Sequence, residues 1–122
     1  MTHIPSDEAF ARAKQQMAED SRGLDAVCRA VNARFEDERW FHRVYVLPQR
    51  DVEFRAYVFF KSNAELQDPE ARVWRARIEI AVREELERNG RGERDKVSVG
   101  FEYDSNENVD RNFDGDYLYR LR

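Results

Sequence analysis

The chain has one cysteine in 122 residues, so Cys28 cannot close an internal disulfide and the fold must be held by packing. Two histidines, His3 and His42, leave little imidazole for acid–base chemistry or metal ligation. Three prolines and five glycines leave room for long regular elements. No uninterrupted apolar run approaches the ~20 residues that span a bilayer. The N-terminal stretch Met1-Thr2-His3-Ile4-Pro5-Ser6-Asp7-Glu8 has no basic leader followed by an apolar segment. A cytoplasmic protein, without membrane contact, is the expectation. The formal charge of −4 disfavours binding to a phosphate backbone, which requires a cluster of unpaired Lys or Arg. Direct contact with nucleic acid is not expected, and a basic protein is the more natural partner.

What is present is enough for a core. Hydrophobic residues make up 41% of the chain and aromatic residues 12%, against a charged fraction of 38%. That apolar content can offset chain entropy in one domain of this length, covering 1–122, with 1–5 expected to be flexible.

Ser6 reads as an N-cap followed by Asp7 and Glu8, and Phe10, Ala13 and Met17 continue a helical face. After an interruption at Ser21-Arg22-Gly23, Leu24, Val27, Cys28, Val31 and Phe35 recur at helical spacing. From Phe41 the period becomes two, through a mostly apolar strand that Pro48 is expected to end. Gln49-Arg50-Asp51 forms the turn into a second strand with Val52, Phe54, Ala56, Val58 and Phe60 on one face, paired antiparallel with the first. Asp68-Pro69 opens a helix that runs to Asn89-Gly90, with Trp74, Ile78, Ala81, Val82 and Leu86 inward and Glu79–Arg83 and Glu84–Arg88 as i,i+4 pairs. Val97, Val99, Phe101 and Tyr103 alternate as a third strand, and Tyr117, Tyr119 and Leu121 as a fourth. The order α-β-β-α-β-β predicts an α+β fold: a mainly antiparallel sheet of about four strands with helices on one face. The second face, carrying Tyr57 and Phe59, would then be open to solvent or a partner.

Candidate chemistry is sparse. His42 lies in a strand and Cys28 on an apolar helical stripe, and neither has a converging partner in sequence. Zinc spacing, a phosphate-cradling glycine loop and a nucleophile elbow are all missing, so no catalytic residue is assigned. Arg72, Arg75, Arg77 and Arg83 with Trp74 form the best basic patch, balanced by Glu70, Glu79, Glu84 and Glu85 as a solvated helix face.

The strongest signal lies near the C-terminus. Six carboxylates and one arginine fall between Glu102 and Asp116, about −5 against −4 for the whole chain, so the remainder sits near +1. Asp110-x-Asn112-x-Asp114-Gly115 matches the start of a calcium loop, but the twelfth position, where the bidentate acid belongs, is Leu121. A register from Asp104 places Val109 where glycine is required. No metal or other cofactor is assigned. Asp114-Gly115 is instead a tight-turn signal, which makes the segment an acidic hairpin displaying Glu102, Asp104, Glu107, Asp110, Asp114 and Asp116 beside Tyr103 and Tyr117. Such a surface can steer a basic protein and hold it through aromatic anchors. A solvated hairpin, a small metal-dependent enzyme using the same carboxylates, and a scaffold using the open sheet face remain as alternatives.

The phrase Phe101-Glu102-Tyr103-Asp104-Ser105-x-Glu107-Asn108-Val109-x-x-Asn112-Phe113-x-Gly115-x-Tyr117-x-Tyr119-Arg120-Leu121-Arg122, on a small acidic α+β chain, resembles the immunity proteins of bacterial polymorphic and contact-dependent inhibition toxin systems. The likeness covers about the last 22 residues, and the rest only in size and element order. It implies a cytosolic, non-enzymatic protein that binds the C-terminal domain of a cognate toxin, often a nuclease, and blocks its active site or substrate path.

Overall fold

The computed structural model describes residues 8, 9, 11, 12, 15, 19, 21–50 and 52–121. Glu8, Ala9, Ala11, Arg12, Gln15 and Glu19 are helical, whereas the Ser6 cap, the apolar positions Phe10, Ala13 and Met17, and the flexible 1–5 expected from sequence lie outside the described residues. The complete elements are α1 (Leu24–Phe35), β1 (Phe41–Arg50), β2 (Glu53–Phe60), α2 (Asn63–Leu66), α3 (Ala71–Arg88), β3 (Ser98–Ser105), α4 (Asn106–Asn112) and α5 (Tyr117–Arg120).

The fold is α+β, but the sheet is neither four-stranded nor antiparallel throughout. Among the described residues it has three strands, in the order β1-β2-β3. β1 and β2 form the expected antiparallel hairpin, with Val44 opposite Val58 and Val46 opposite Ala56, while β3 runs parallel to β2, with Phe54 opposite Val99 and Phe60 opposite Ser105. The direction of β3 follows from the helix before it. The 18 residues of α3 span about 27 Å at helical rise, close to the ~26 Å of an eight-residue strand. The chain therefore returns to the end where β2 began and must run parallel to it, as in other strand–helix–strand crossovers.

The fourth strand is replaced by helices. Ser105 caps α4 by accepting from the Asn108 N–H at 3.0 Å, and Asp116 caps α5 by accepting from the Tyr119 N–H at 3.1 Å. Between them Asp114 and Gly115 both take positive φ, 55° and 74°, so the tight turn foreseen at these two residues joins two helices, not two strands. Short local capping bonds outcompete a five-residue alternation of Tyr117, Tyr119 and Leu121, which is too short to commit the segment to a strand.

The core lies between the sheet and the pair α1/α3. Val27, Val31, Val44, Ala56, Val58, Phe60, Ile78, Val82 and Leu86 are fully buried there, beside a stacked Trp40–Trp74 pair with centroids 5.0 Å apart. Each large aliphatic side chain removed from water stabilises the fold by about 1.5–3 kcal/mol. Two sequence expectations for α3 change: Arg83 donates to the Val97 carbonyl at 2.7 Å, and Arg88 bonds Glu85. Glu85 belongs to the interior at 2% exposure, held by Arg34 from α1 and Arg88, and not to the solvated face.

β1 is a free edge of the sheet, and exposed edges invite pairing with other chains. Helix α1 closes it with side chains. The Asn32 amide accepts from the Val44 N–H at 2.9 Å and donates to the Val44 carbonyl at 3.2 Å, imitating a strand residue. Two residues on, Cys28 Sγ accepts from the Val46 N–H at 3.3 Å. Burial drives the thiol pKa upward, with the Val46 bond opposing and Asp25 assisting the rise. The next outward position is Pro48, which has no N–H to satisfy. Pro48 therefore does not end the strand as expected from sequence, because on an edge it removes an orphan donor and β1 continues to Arg50.

Replacing Asn32 by Ala removes both bonds to Val44 and is expected to lower stability by about 1–3 kcal/mol, read by urea denaturation. Asn32→Asp keeps the acceptor for the Val44 N–H and is expected to fall between the two. Equal midpoints for all three proteins would contradict this role.

Candidate protein-binding face

Side chains alternate across the sheet, so Tyr45 of β1, Tyr57 and Phe59 of β2, and Glu102 and Asp104 of β3 face away from α1 and α3. This second face is not left open at its Phe59 end. The segment after β3 folds back across it, and Phe59 is fully buried.

Tyr117 provides the apolar contact. Its ring meets Phe59 edge-on at 4.8 Å between centroids, Tyr45 at 5.7 Å and His42 in a near-parallel stack at 5.9 Å. Its hydroxyl donates to the Asn106 side-chain oxygen at 2.5 Å, tying α5 to α4. Burial, with nearby Tyr45 and Asp110, raises the phenol pKa to about 12.

Arg120 provides the polar contact. Its Nε donates to Asp104 Oδ2 at 2.5 Å and its Nη2 to Glu102 Oε1 at 2.9 Å, while the guanidinium lies 5.9 Å from the Phe59 ring centre and 5.7 Å from that of Phe113. Asp104 is further fixed by the Ser105 N–H at 2.8 Å and the Asn108 amide at 2.9 Å. The Arg120 and Asp104 side chains are only 15% and 13% exposed, so the pair is screened far less than a surface bridge. Arg55 reaches Glu102 from β2 at 3.7 Å.

The residues singled out in the sequence thus separate into three groups. Glu102, Asp104 and Tyr117 hold the C-terminal segment to the sheet, and Glu107 does similar work by accepting from the Asn63 N–H at 2.9 Å and pairing with Arg111 at 2.9 Å. Tyr103 lies apart from all of these. It belongs to the helix-covered face, 4.7 Å from the Arg75 guanidinium, where burial and Glu79 push its hydroxyl pKa up. Asp110, Asp114 and Asp116 are exposed together along α4 and the turn that follows.

The same C-terminal segment exposes two apolar side chains, Leu118 at 79% exposure and Tyr119 at 55%. Phe113 props Tyr119 from behind with ring centroids 5.4 Å apart. Leu118 carries no signal in sequence, because the alternation of Tyr117, Tyr119 and Leu121 assigns it to the opposite side of a strand. A helical turn instead brings Leu118 and Tyr119 out together while Tyr117 and Arg120 point in. Arg120 was legible only as the first cation to follow the acidic run.

The half-match to a calcium loop does not survive as a loop: Asp110 and Asn112 lie within α4, and Asn112 donates to the Asn108 side chain at 2.5 Å. Among the described residues no group of three or more His, Cys, Asp or Glu could hold a metal ion. No helix among them is long and apolar enough to cross a membrane.

Tyr117→Phe removes the hydroxyl bond to Asn106 and is expected to lower stability at neutral pH by about 1 kcal/mol. With its folded pKa raised from 10 to about 12, the stability contributed by the neutral phenol is complete below pH 10 and lost as pH rises through about 12. The wild type should therefore lose its advantage over Tyr117→Phe in that window, measured by denaturation across pH, and a constant difference would contradict the assignment. Comparison of the chain with protein-family models, with curated proteins and with solved structures found no match.

Proposed function

We propose that this chain is a non-enzymatic binding protein of the cytoplasm that neutralises the C-terminal domain of a cognate bacterial toxin, a nuclease in the leading case, by covering its basic active-site surface. One observation carries the reading: Leu118 and Tyr119 are exposed on the same segment as the exposed Asp110, Asp114 and Asp116, and Arg120 and Tyr117 hold that segment to the sheet. Apolar anchors near exposed charges are the arrangement that binding interfaces use, the anchors for retention and the charges for encounter, and the exposed Arg111 of the same segment is paired with Glu107. The likeness of residues 101–122 to immunity proteins supplies the class of partner, and the acidity of the face supplies its sign.

The contact set differs from the one the acidic run alone indicates. Glu102 and Asp104 already serve Arg120, so reversing them would loosen the whole segment before it touched a partner. Asp110 and Asp114, together with Leu118 and Tyr119, are the residues offered to the toxin.

The test is calorimetry with the C-terminal domain of a secreted toxin, should the neighbouring upstream gene encode one. Leu118→Ala and Tyr119→Ala are each expected to weaken binding by about 2 kcal/mol, roughly thirtyfold. Asp110→Asn with Asp114→Asn is expected to slow association and flatten its salt dependence while leaving dissociation nearly unchanged. Asparagine is chosen at 114 because it tolerates the positive φ there. Wild-type affinity in all these variants would remove this face from the proposal.

A further inference from the structure

On the side of β1 away from β2, helix α1 and the first residues of the strand border an open cleft of about 510 Å³. Its chemistry is opposite to that of the C-terminal face. Arg29, Asn32 and Ala33 line it from α1, Glu36 from the cap that ends this helix, Phe41, His42 and Arg43 from β1, and Lys61 from the residue after β2. Arg29, Asn32, Ala33 and the C-cap Glu36, which keeps helical φ and ψ, fall at i, i+3, i+4 and i+7, which is one helical face. Small Ala33 leaves the space open and Phe41, 3% exposed, forms the apolar floor.

Two features show how cations come to be concentrated here. The β1–β2 register shifts between Phe41 and Arg43, so that consecutive residues His42 and Arg43 both line the cleft, whereas in an unbulged strand they would face opposite ways. Lys61 is fixed through its backbone, with its N–H bonded to the Trp40 carbonyl at 3.1 Å and its carbonyl to the Glu107 N–H at 3.3 Å. Arg34, Arg55, Arg77, Arg88, Arg94, Arg111 and Arg120 all pair with carboxylates, but Arg29, Arg43 and Lys61 form no ion pair among the described residues. With Glu36 as the single acid of the lining, the cleft carries a formal charge of about +2 in a chain of −4.

We infer that this cleft binds a small phosphate-bearing ligand, its phosphoryl dianion received by Arg43, Lys61 and Arg29. A guanidinium presents two N–H groups in a fork that matches two phosphoryl oxygens, and a lysine adds a mobile point charge. The volume accommodates a phosphate with a small organic group attached, within the usual range of small-molecule sites. Like charges gathered without counterions repel one another, so the empty site opposes folding and a dianion relieves that repulsion. His42 senses the same field: burial, Arg43 and Lys61 lower its pKa against the opposing pull of Asp110. The inference stands independently of the toxin-binding reading, since no residue of the proposed Leu118/Tyr119 face lines the cleft.

The experiment is an NMR titration of the full chain at constant ionic strength with inorganic phosphate and, separately, glucose 6-phosphate, with sodium chloride as control. The expected result is a saturable shift at Ala33, His42, Arg43 and Lys61 with dissociation constants below about 1 mM, together with a rise in the His42 pKa. Tighter binding of the ester identifies a phosphomonoester as the ligand, and tighter binding of inorganic phosphate identifies the free ion. Arg43→Gln and Lys61→Gln are each expected to weaken binding at least about tenfold while holding or raising the unfolding temperature, which separates loss of the site from loss of the fold. Shifts no larger than those with chloride, or unchanged binding in both variants, would overturn the inference.

Discussion

Whatever this protein displays near its C-terminus depends on one arginine meeting two carboxylates at the end of a strand. Arg120 closes on Asp104 and Glu102 with its guanidinium against Phe59. Ionic and apolar contacts reinforce one another there. Tyr117 and Phe59 exclude water, and in that drier setting the charge-assisted bonds are shorter and stronger than at an open surface. Neither α4, with seven residues, nor α5, with four, has the length to persist as an isolated helix. They exist as an ordered segment because the sheet holds them.

The sheet that does so is shaped by α3. By returning the chain to the start of β2, this helix places β3 parallel and brings Glu102 and Asp104 level with Tyr57 and Phe59. An antiparallel β3 would have delivered the following residues to the opposite end of the sheet. At the other edge, α1 covers β1 through Asn32 and Cys28, and the same packing leaves the basic cleft beside it. His42 lines that cleft and stacks on Tyr117, so the basic and acidic surfaces border one another. Charge is therefore segregated over a short distance, although composition reports only a modest net excess of acid.

Much of the framework was legible in the sequence. The stripe from Leu24 to Phe35, the alternation from Phe54 to Phe60 and the long amphipathic run ending at Asn89-Gly90 are extended patterns whose period is unambiguous. The last twenty residues were harder for a physical reason. Tyr117, Tyr119 and Leu121 alternate over only five positions, too few to distinguish a strand from one helical turn, and the deciding caps are Ser105 and Asp116. Charge was legible as a quantity but not as a distribution. Nothing local distinguishes Asp104, engaged by a residue sixteen positions away, from Asp110, which faces water. The cluster of Arg29, Arg43 and Lys61 was invisible for the same reason, since helix, strand and loop contribute one cation each.

Amide hydrogen exchange on the wild type and on Arg120→Gln tests the dependence on that arginine most directly. Loss of protection confined to residues 106–121, with the amides of α1, α3 and the β1–β2 hairpin unchanged, is the predicted result. Equal protection of residues 106–121 in both proteins, or a uniform loss over the whole chain, would contradict the claim that Arg120 is what holds this segment to the sheet.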